Sequence, residues 1–335
     1  MKKTVSFIIS TIIFMTSLIF PSFAQADISP QDSMHQLAEQ TISVVHDAVD
    51  DSAQTTYKNI DVFIDKAHYL YPDISDLEIA EFVMQYTGQS TENLPDEIVL
   101  RALESKEVTI RTDYIEVDSS GKQTLLSQQE LQLALVEDIC QETVSPQDIW
   151  ISSNGYMKIE TICTFKSRQG IHRYYTVSAK ADWLKMPVCF FEDVLAIAHT
   201  GYFDADVQEF GYKYQTNTCC GTSYKHNLST NFPTKDISFD YPSTTGTALR
   251  FKLQIPQTCT VKTIAHVNRA QSISAYLTYG IIVDEAGTLN VKSAYCHKEV
   301  ALGSISISCI SGSISFSLAG FKHDYNARIV KTDVF

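Results

Sequence analysis

The sequence predicts an α+β protein, with an N-terminal helical domain over 27–105 and an antiparallel, sandwich-like β domain over 106–335. Three observations carry this reading. Apolar residues recur every three or four positions before residue 106 and every second position after it. The first stretch holds one glycine and no cysteine, whereas all eight cysteines lie in the second. Strand-like segments follow one another with a single helical interruption, which favours an antiparallel sandwich over a parallel sheet alternating with helices.

Met34, Leu37, Ala38, Ile42, Val45, Ala48 and Val49 form one apolar stripe, which predicts a helix from Pro30 to Val49. Tyr57, Ile60, Phe63, Ile64, Ala67, Leu70 and Tyr71 predict a second, stopped by Pro72 because proline cannot continue the ladder. Ser75-Asp76-Leu77-Glu78 reads as a capping box that opens a third helix, ending at Thr87-Gly88. Pro95-Asp96-Glu97 opens a fourth, running to about Leu103.

Val108 and Ile110, then Ile115 and Val117 in the other phase, predict a strand pair or one bent strand before the turn Asp118-Ser119-Ser120-Gly121. A second capping box, Ser127-Gln128-Gln129-Glu130, opens the interrupting helix through Leu131, Ala134, Leu135 and Ile139. Met157 to Phe165 and Tyr175 to Trp183 alternate on either side of Gln169-Gly170. Further strands are expected at Ala248 to Ile255, Ser272 to Val283 and Leu289 to Tyr295. Ser304 to Leu318 reads as a hairpin with a serine outer face, either a platform for glycan or the solvated side of a sheet.

Lys2 and Lys3, the apolar run Val5 to Phe20 and the small-residue site Ala24-Gln25-Ala26 predict a signal peptide over 1–26. The apolar run is shorter than a membrane span needs. The first cysteine is Cys140, so a lipid-modified cysteine at a mature start of Asp27 is not expected, and neither is any other stable membrane anchor. The expected location is therefore extracellular, by secretion.

A chain of 335 residues, 44% hydrophobic and 19% charged, is globular in composition. Its net charge of −13 becomes −15 once Lys2 and Lys3 leave, and no basic cluster interrupts it. Nucleic acid and anionic membranes select clustered Lys and Arg, so neither is an expected partner. Cell-wall glycan or another extracellular protein is.

The sequence Ala181-Asp182-Trp183-Leu184-Lys185-Met186-Pro187, followed by Glu192-Asp193-Val194, resembles a group of uncharacterised secreted proteins of Gram-positive bacteria. Tyr71-Pro72-Asp73-Ile74-Ser75-Asp76 and Leu94-Pro95-Asp96-Glu97 are similar to the start of such proteins. The resemblance implies export and assigns no reaction.

In an exported chain Cys140, Cys163, Cys189, Cys219, Cys220, Cys259, Cys296 and Cys309 are candidates for disulfides, and their order leaves the pairing open. Cys163 and Cys309 fall at inward strand positions, as a cross-sheet bridge or as buried thiols. A zinc site would use Cys219 or Cys220 with His226, His199 or Cys296-His297, but paired C-x2-C or H-x3-H spacing is absent. No metal or cofactor is expected.

The signatures G-x-S-x-G, H-E-x-x-H, G-x-G-x-x-G and the Walker A loop are missing. Asp204-Ala205-Asp206 is the best acidic group, yet it lacks a calcium-loop pattern. Trp150, Trp183, Tyr174 and Tyr175 add aromatic candidates, of which Trp183 and Tyr175 sit in core phase. Tyr212, Tyr214 and Tyr224 are the expected ligand-facing aromatics. The leading expectation is thus a non-catalytic extracellular binding or surface-associated protein. The alternative is a secreted hydrolase whose carboxylate or Cys-His site is assembled from distant residues. A third reading makes the helical region a pro-segment that leaves after export.

Overall fold

The computed structural model describes residues 30–49, 52–89, 91, 94–118, 123–142, 154–185, 192–217, 223–229, 237–243, 246–252, 257–261, 264–284, 289–297, 305–310, 313–318 and 324–331. Side-chain environments are described within 31–47, 54–89, 94–118, 123–136, 154–185, 193–204, 246–251, 273–284 and 289–295.

Helix α1 (Pro30–Thr41) gives way to a hairpin, β1 (Ser43–Val49) and β2 (Ser52–Lys58). This corrects two expectations, since neither the first helix nor the second includes the hairpin residues. Val44 and Val45 are β-branched, suit a strand, and pair with Tyr57 and Thr56 across the ladder. Asn59, in the left-handed region at φ 65°, turns the chain from β2 into α2 (Ile60–Leu70).

Helix α3 (Asp76–Tyr86) begins at the expected capping box. Ser75 Oγ accepts from the Glu78 amide, and the Glu78 carboxylate accepts from the Ser75 hydroxyl and, with smaller effect, from the Ser75 amide, which together lower the Glu78 pKa. It ends on Gly88 at φ 81°, with Gln89 N–H donating to Met84 O and Gly88 N–H to Gln85 O, a Schellman closure. Helix α4 (Asp96–Leu100) tightens into a 3-10 turn over Arg101–Glu104.

Strand β3 (Glu107–Val117) is a single strand, not a pair. Val108 and Ile110 face the helices, whereas Ile115 and Val117 belong to the opposite core, so its apolar phase switches because both faces are covered. The chain continues through β4 (Gln123–Leu126) and α5 (Gln128–Glu142), then β5 (Gly155–Gln169) and β6 (His172–Lys185). The second capping box is present at α5, where Ser127 and Glu130 bond reciprocally.

Strands β7 (Glu192–His199), β8 (Tyr202–Asn217), β9 (Ser223–Ser229) and β10 (Ile237–Ser243) follow, none of them predicted from the sequence. Then come β11 (Gly246–Lys252), β12 (Gln257–Val261), β13 (Ile264–Asp284), β14 (Leu289–His297), the hairpin β15 (Ile305–Ile310) with β16 (Ser313–Leu318), and β17 (Asp324–Lys331).

The strands of the large sheet run β1-β2-β3-β5-β6-β13-β8-β9, with β4 on β3 and β12 on β13. A second sheet runs β10-β11-β7-β14-β17, and all these pairings are antiparallel. The two pack face to face. Met157, Trp183, Leu277 and Tyr279 of the first meet Leu195, Ile197, Phe251 and Tyr295 of the second in one buried cluster. Tyr279 Oη donates to Ile197 O at 3.2 Å, and Thr161 bonds Ser293 across the gap.

The helices cover the other face of the large sheet, where Ile60, Phe63, Ile79 and Phe82 pack on Val108, Ile110 and Ile162. Phe63 stacks on Phe82 at 5.3 Å between centroids. The order of layers is therefore helices, large sheet, second sheet. Residues 30–105 supply both the helical cover and the hairpin at the sheet's edge.

Candidate functional site

Strand β3 carries two different neighbours on one edge. Its ladder to β2 runs from Glu107 to Arg111, and its ladder to β4 begins at Tyr114. Among the described residues this leaves Thr112 and Asp113 without a strand partner on that side. A cleft of about 630 Å³ opens over the break, within the usual range for ligand pockets.

Three elements wall the cleft: β2 through Thr55 and Tyr57, the end of α3 through Thr87 and Gly88, and the β4–α5 junction through Leu125 and Ser127. Tyr114 and Lys158 project from the sheet floor. Burial, reinforced by Tyr86, raises the Tyr57 pKa, so its phenol stays a hydrogen-bond donor at neutral pH. For Lys158, burial alone would lower the pKa. Glu160, with Asp182 and Tyr114, outweighs that and holds the ammonium above its usual value.

The charged floor is ordered by register. Lys158 pairs with Asp182 and Glu160 with Lys180 between β5 and β6, giving four alternating charges on the helix-facing side. Lys158 Nζ lies 2.6 Å from Glu160 Oε1, and Lys180 Nζ lies 3.2 Å from Asp182 Oδ2.

The residues expected from sequence fall elsewhere. Tyr212 and Tyr214 lie on β8, opposite Ala275 and Ile273, and Tyr224 lies on β9 opposite Thr216. The register places all three on one face of the sheet, remote in strand order from the cleft. Their side chains lie outside the described residues. Cys163 is fully buried on β5 near Tyr175, whose pKa is pushed up to about 12, chiefly by burial. The side chains of the other seven cysteines, Cys140, Cys189, Cys219, Cys220, Cys259, Cys296 and Cys309, are outside the described set, as is Trp150.

Trp183 and Tyr175 are core residues, as their phase predicts. Asp204, of the acidic group, begins a bulged part of β8 opposite Gly280. His226 lies on β9, opposite Tyr214. No group of three metal-ligating side chains occurs among the described residues.

His199 is fully buried at the end of β7 against the Tyr279 ring, and neither nitrogen makes a hydrogen bond of normal geometry. Burial pushes its pKa down to about 4, against a smaller opposing contribution from the Gly201 backbone. Above the unfolded value of about 6.5 the ring is neutral in both states. As pH falls from there towards 4 the unfolded chain takes the proton first, so stability declines by on the order of 3 kcal/mol. Denaturant titrations between pH 7 and 4 are expected to show this slope, and His199→Leu to reduce it.

The cleft residues Tyr57, Tyr114 and Lys158 were not singled out by sequence reasoning. One signal for the floor was available: Lys158 and Glu160, then Lys180 and Asp182, are charges at alternate positions inside two apolar strands.

No family model and no curated protein matches this chain. Among solved structures it is similar to the collagen-binding subdomain of the Enterococcus faecalis surface protein ACE, at 10% identity over 49% of this chain and 88% of that one, with a TM-score of 0.20. The Clostridium perfringens NetB toxin in its membrane-inserted form matches at 6% identity over 55% and 91%, with a TM-score of 0.18. AvmM, which catalyses macrocyclization in alchivemycin A biosynthesis, matches at 10% identity over 50% and 94%, also at 0.18. Scores of this size carry no inference about ligand or activity.

Proposed function

We propose that this chain is an exported extracellular binding protein whose ligand is a glycan of the cell surface, held in the cleft between β2, β4 and the end of α3. The observation that carries the reading is the break in the β3 edge ladder, which opens a ligand-sized hollow lined by phenols, hydroxyls and one ammonium. Tyrosine offers a flat apolar face with a polar rim, and threonine and serine hydroxyls match the donors and acceptors of a sugar.

Export rests on the basic and apolar leader and on the resemblance to secreted Gram-positive proteins. No helix among the described residues is long and apolar enough to cross a membrane. Binding is favoured over hydrolysis by the lining itself. Its described residues include one carboxylate, Asp113, which is bonded to Arg111, whereas glycoside hydrolysis uses two. They include no cysteine or histidine.

Purified cell-wall glycan should retain the secreted protein saturably and without release of reducing ends. Tyr114→Ala and Lys158→Met are each expected to weaken retention about tenfold, equivalent to about 1.4 kcal/mol. Equal retention of wild type and both variants would remove the cleft from the interaction, and release of reducing ends would replace binding with hydrolysis.

A further inference from the structure

We infer that a second hollow, between α3, α4 and the outer face of β5 and β6, is a binding site for a small neutral molecule with a hydroxyl or primary amide group at each end. It lies on the far side of the Lys158–Glu160 pair from the cleft and encloses about 80 Å³. That is room for several waters or a short chain of carbons.

Two atoms on its floor have no partner. Glu160 is 1% exposed and Thr176 7%; Glu160 Oε1 is ion-paired with Lys158 Nζ at 2.6 Å, whereas Glu160 Oε2 and the Thr176 hydroxyl make no hydrogen bond. Buried polar atoms are nearly always hydrogen-bonded, so two orphans lining one cavity mark the places where a ligand supplies the missing bonds.

Register separates them. Glu160 stands opposite Lys180, and Thr176 stands opposite Thr164, four residues further along β5, which is about 13 Å in a strand. Between them the floor is closed, because Thr278 Oγ1 donates to Ser178 Oγ at 2.9 Å. Val83, Met84, Leu94 and Ile98 supply an apolar wall opposite. The arrangement suits polar ends on a carbon stem. The half-buried Gln89, Leu94 and Thr164 form its rim.

Charge selects a neutral ligand. Lys158 lies 2.6 Å from Glu160, Lys180 lies 3.2 Å from Asp182, and Lys166 lies 2.6 Å from Glu104, while Arg101 is also engaged. An incoming ammonium would meet Lys158 and Lys180 as well as Glu160, and an incoming carboxylate would meet Glu160. A hydroxyl or amide N–H donates to the carboxylate with no such penalty.

The full secreted chain, titrated with α,ω-diols from ethane-1,2-diol to hexane-1,6-diol and followed by saturation-transfer NMR, should bind saturably with an optimum of chain length. Butane-1,4-diamine and succinate should not compete. Thr176→Val is expected to lower diol affinity about fivefold while leaving the unliganded melting temperature unchanged or raised, because valine removes an unpartnered hydroxyl at constant shape. Ser178→Leu, which fills the hollow, should abolish binding, and Tyr114→Ala in the cleft should leave it intact. Absence of saturable binding by every diol, equal affinity in Thr176→Val and Ser178→Leu, or preference for the charged probes would overturn the inference. Loss of glycan retention alone would bear only on the cleft.

Discussion

Replacing Arg111 by Met is expected to destabilise the protein by about 4 kcal/mol, the scale for removing one partner of a buried ion pair. Arg111 Nε donates to Asp113 Oδ2 at 2.8 Å, and the two side chains are 5% and 1% exposed. They stand two residues apart on β3, on the face turned towards the second sheet. With the guanidinium gone, the Asp113 carboxyl stays buried and loses its ion-pair partner. The double variant Arg111→Met/Asp113→Leu is expected to regain most of that loss, since a well-packed apolar pair has no desolvation penalty. Guanidinium chloride titrations of the two variants check this, and a double variant no more stable than the single one would show that the pair contributes through packing, not charge.

Tyr295→Phe is the second large effect, with an expected loss of about 3 kcal/mol. The Trp183 indole donates to Tyr295 Oη at 2.8 Å, and Tyr295 Oη in turn donates to Asp193 Oδ2. All three residues are buried, and the chain of bonds joins β6 of the large sheet to β14 and β7 of the other. Phenylalanine keeps the ring contacts with Trp183 and Phe251 but takes a charge-assisted bond from the carboxylate and an acceptor from the indole. Because the chain has two tryptophans, Trp183 fluorescence reports the change locally. An unfolding midpoint equal to wild type would mean that water replaces the hydroxyl in full.

Much of the helical layer was legible because its signals are local. Ser75 with Glu78 and Ser127 with Glu130 are capping boxes within four residues, and Gly88 closes α3 through bonds inside the same turn. The β1–β2 hairpin was not. Val45, Ala48 and Val49 continue the apolar spacing of α1, and only pairing with β2, itself held by β3, makes them a strand. Strands β7 to β10 were missed for a related reason. Val194 to Ala198 is continuously apolar because both of its faces are buried, so no alternation distinguishes it.

The candidate site was less legible than the fold. Tyr57, Tyr114 and Lys158 are separated by 57 and 44 residues along the chain, and no short motif joins them. They meet because β2 and β4 share one edge of β3 without meeting each other. By itself the sequence determined the acidic and globular character, the change of period near residue 106, the caps and the longest alternating strands. All of these depend on neighbours a few residues away. Only the tertiary structure decided which sheet face the helices cover, where the β3 ladder breaks, and that Glu160 and Thr176 line one hollow. Those features arise from strand partners tens of residues apart, and the free energy of their closure is a property of the packed layers rather than of any local segment.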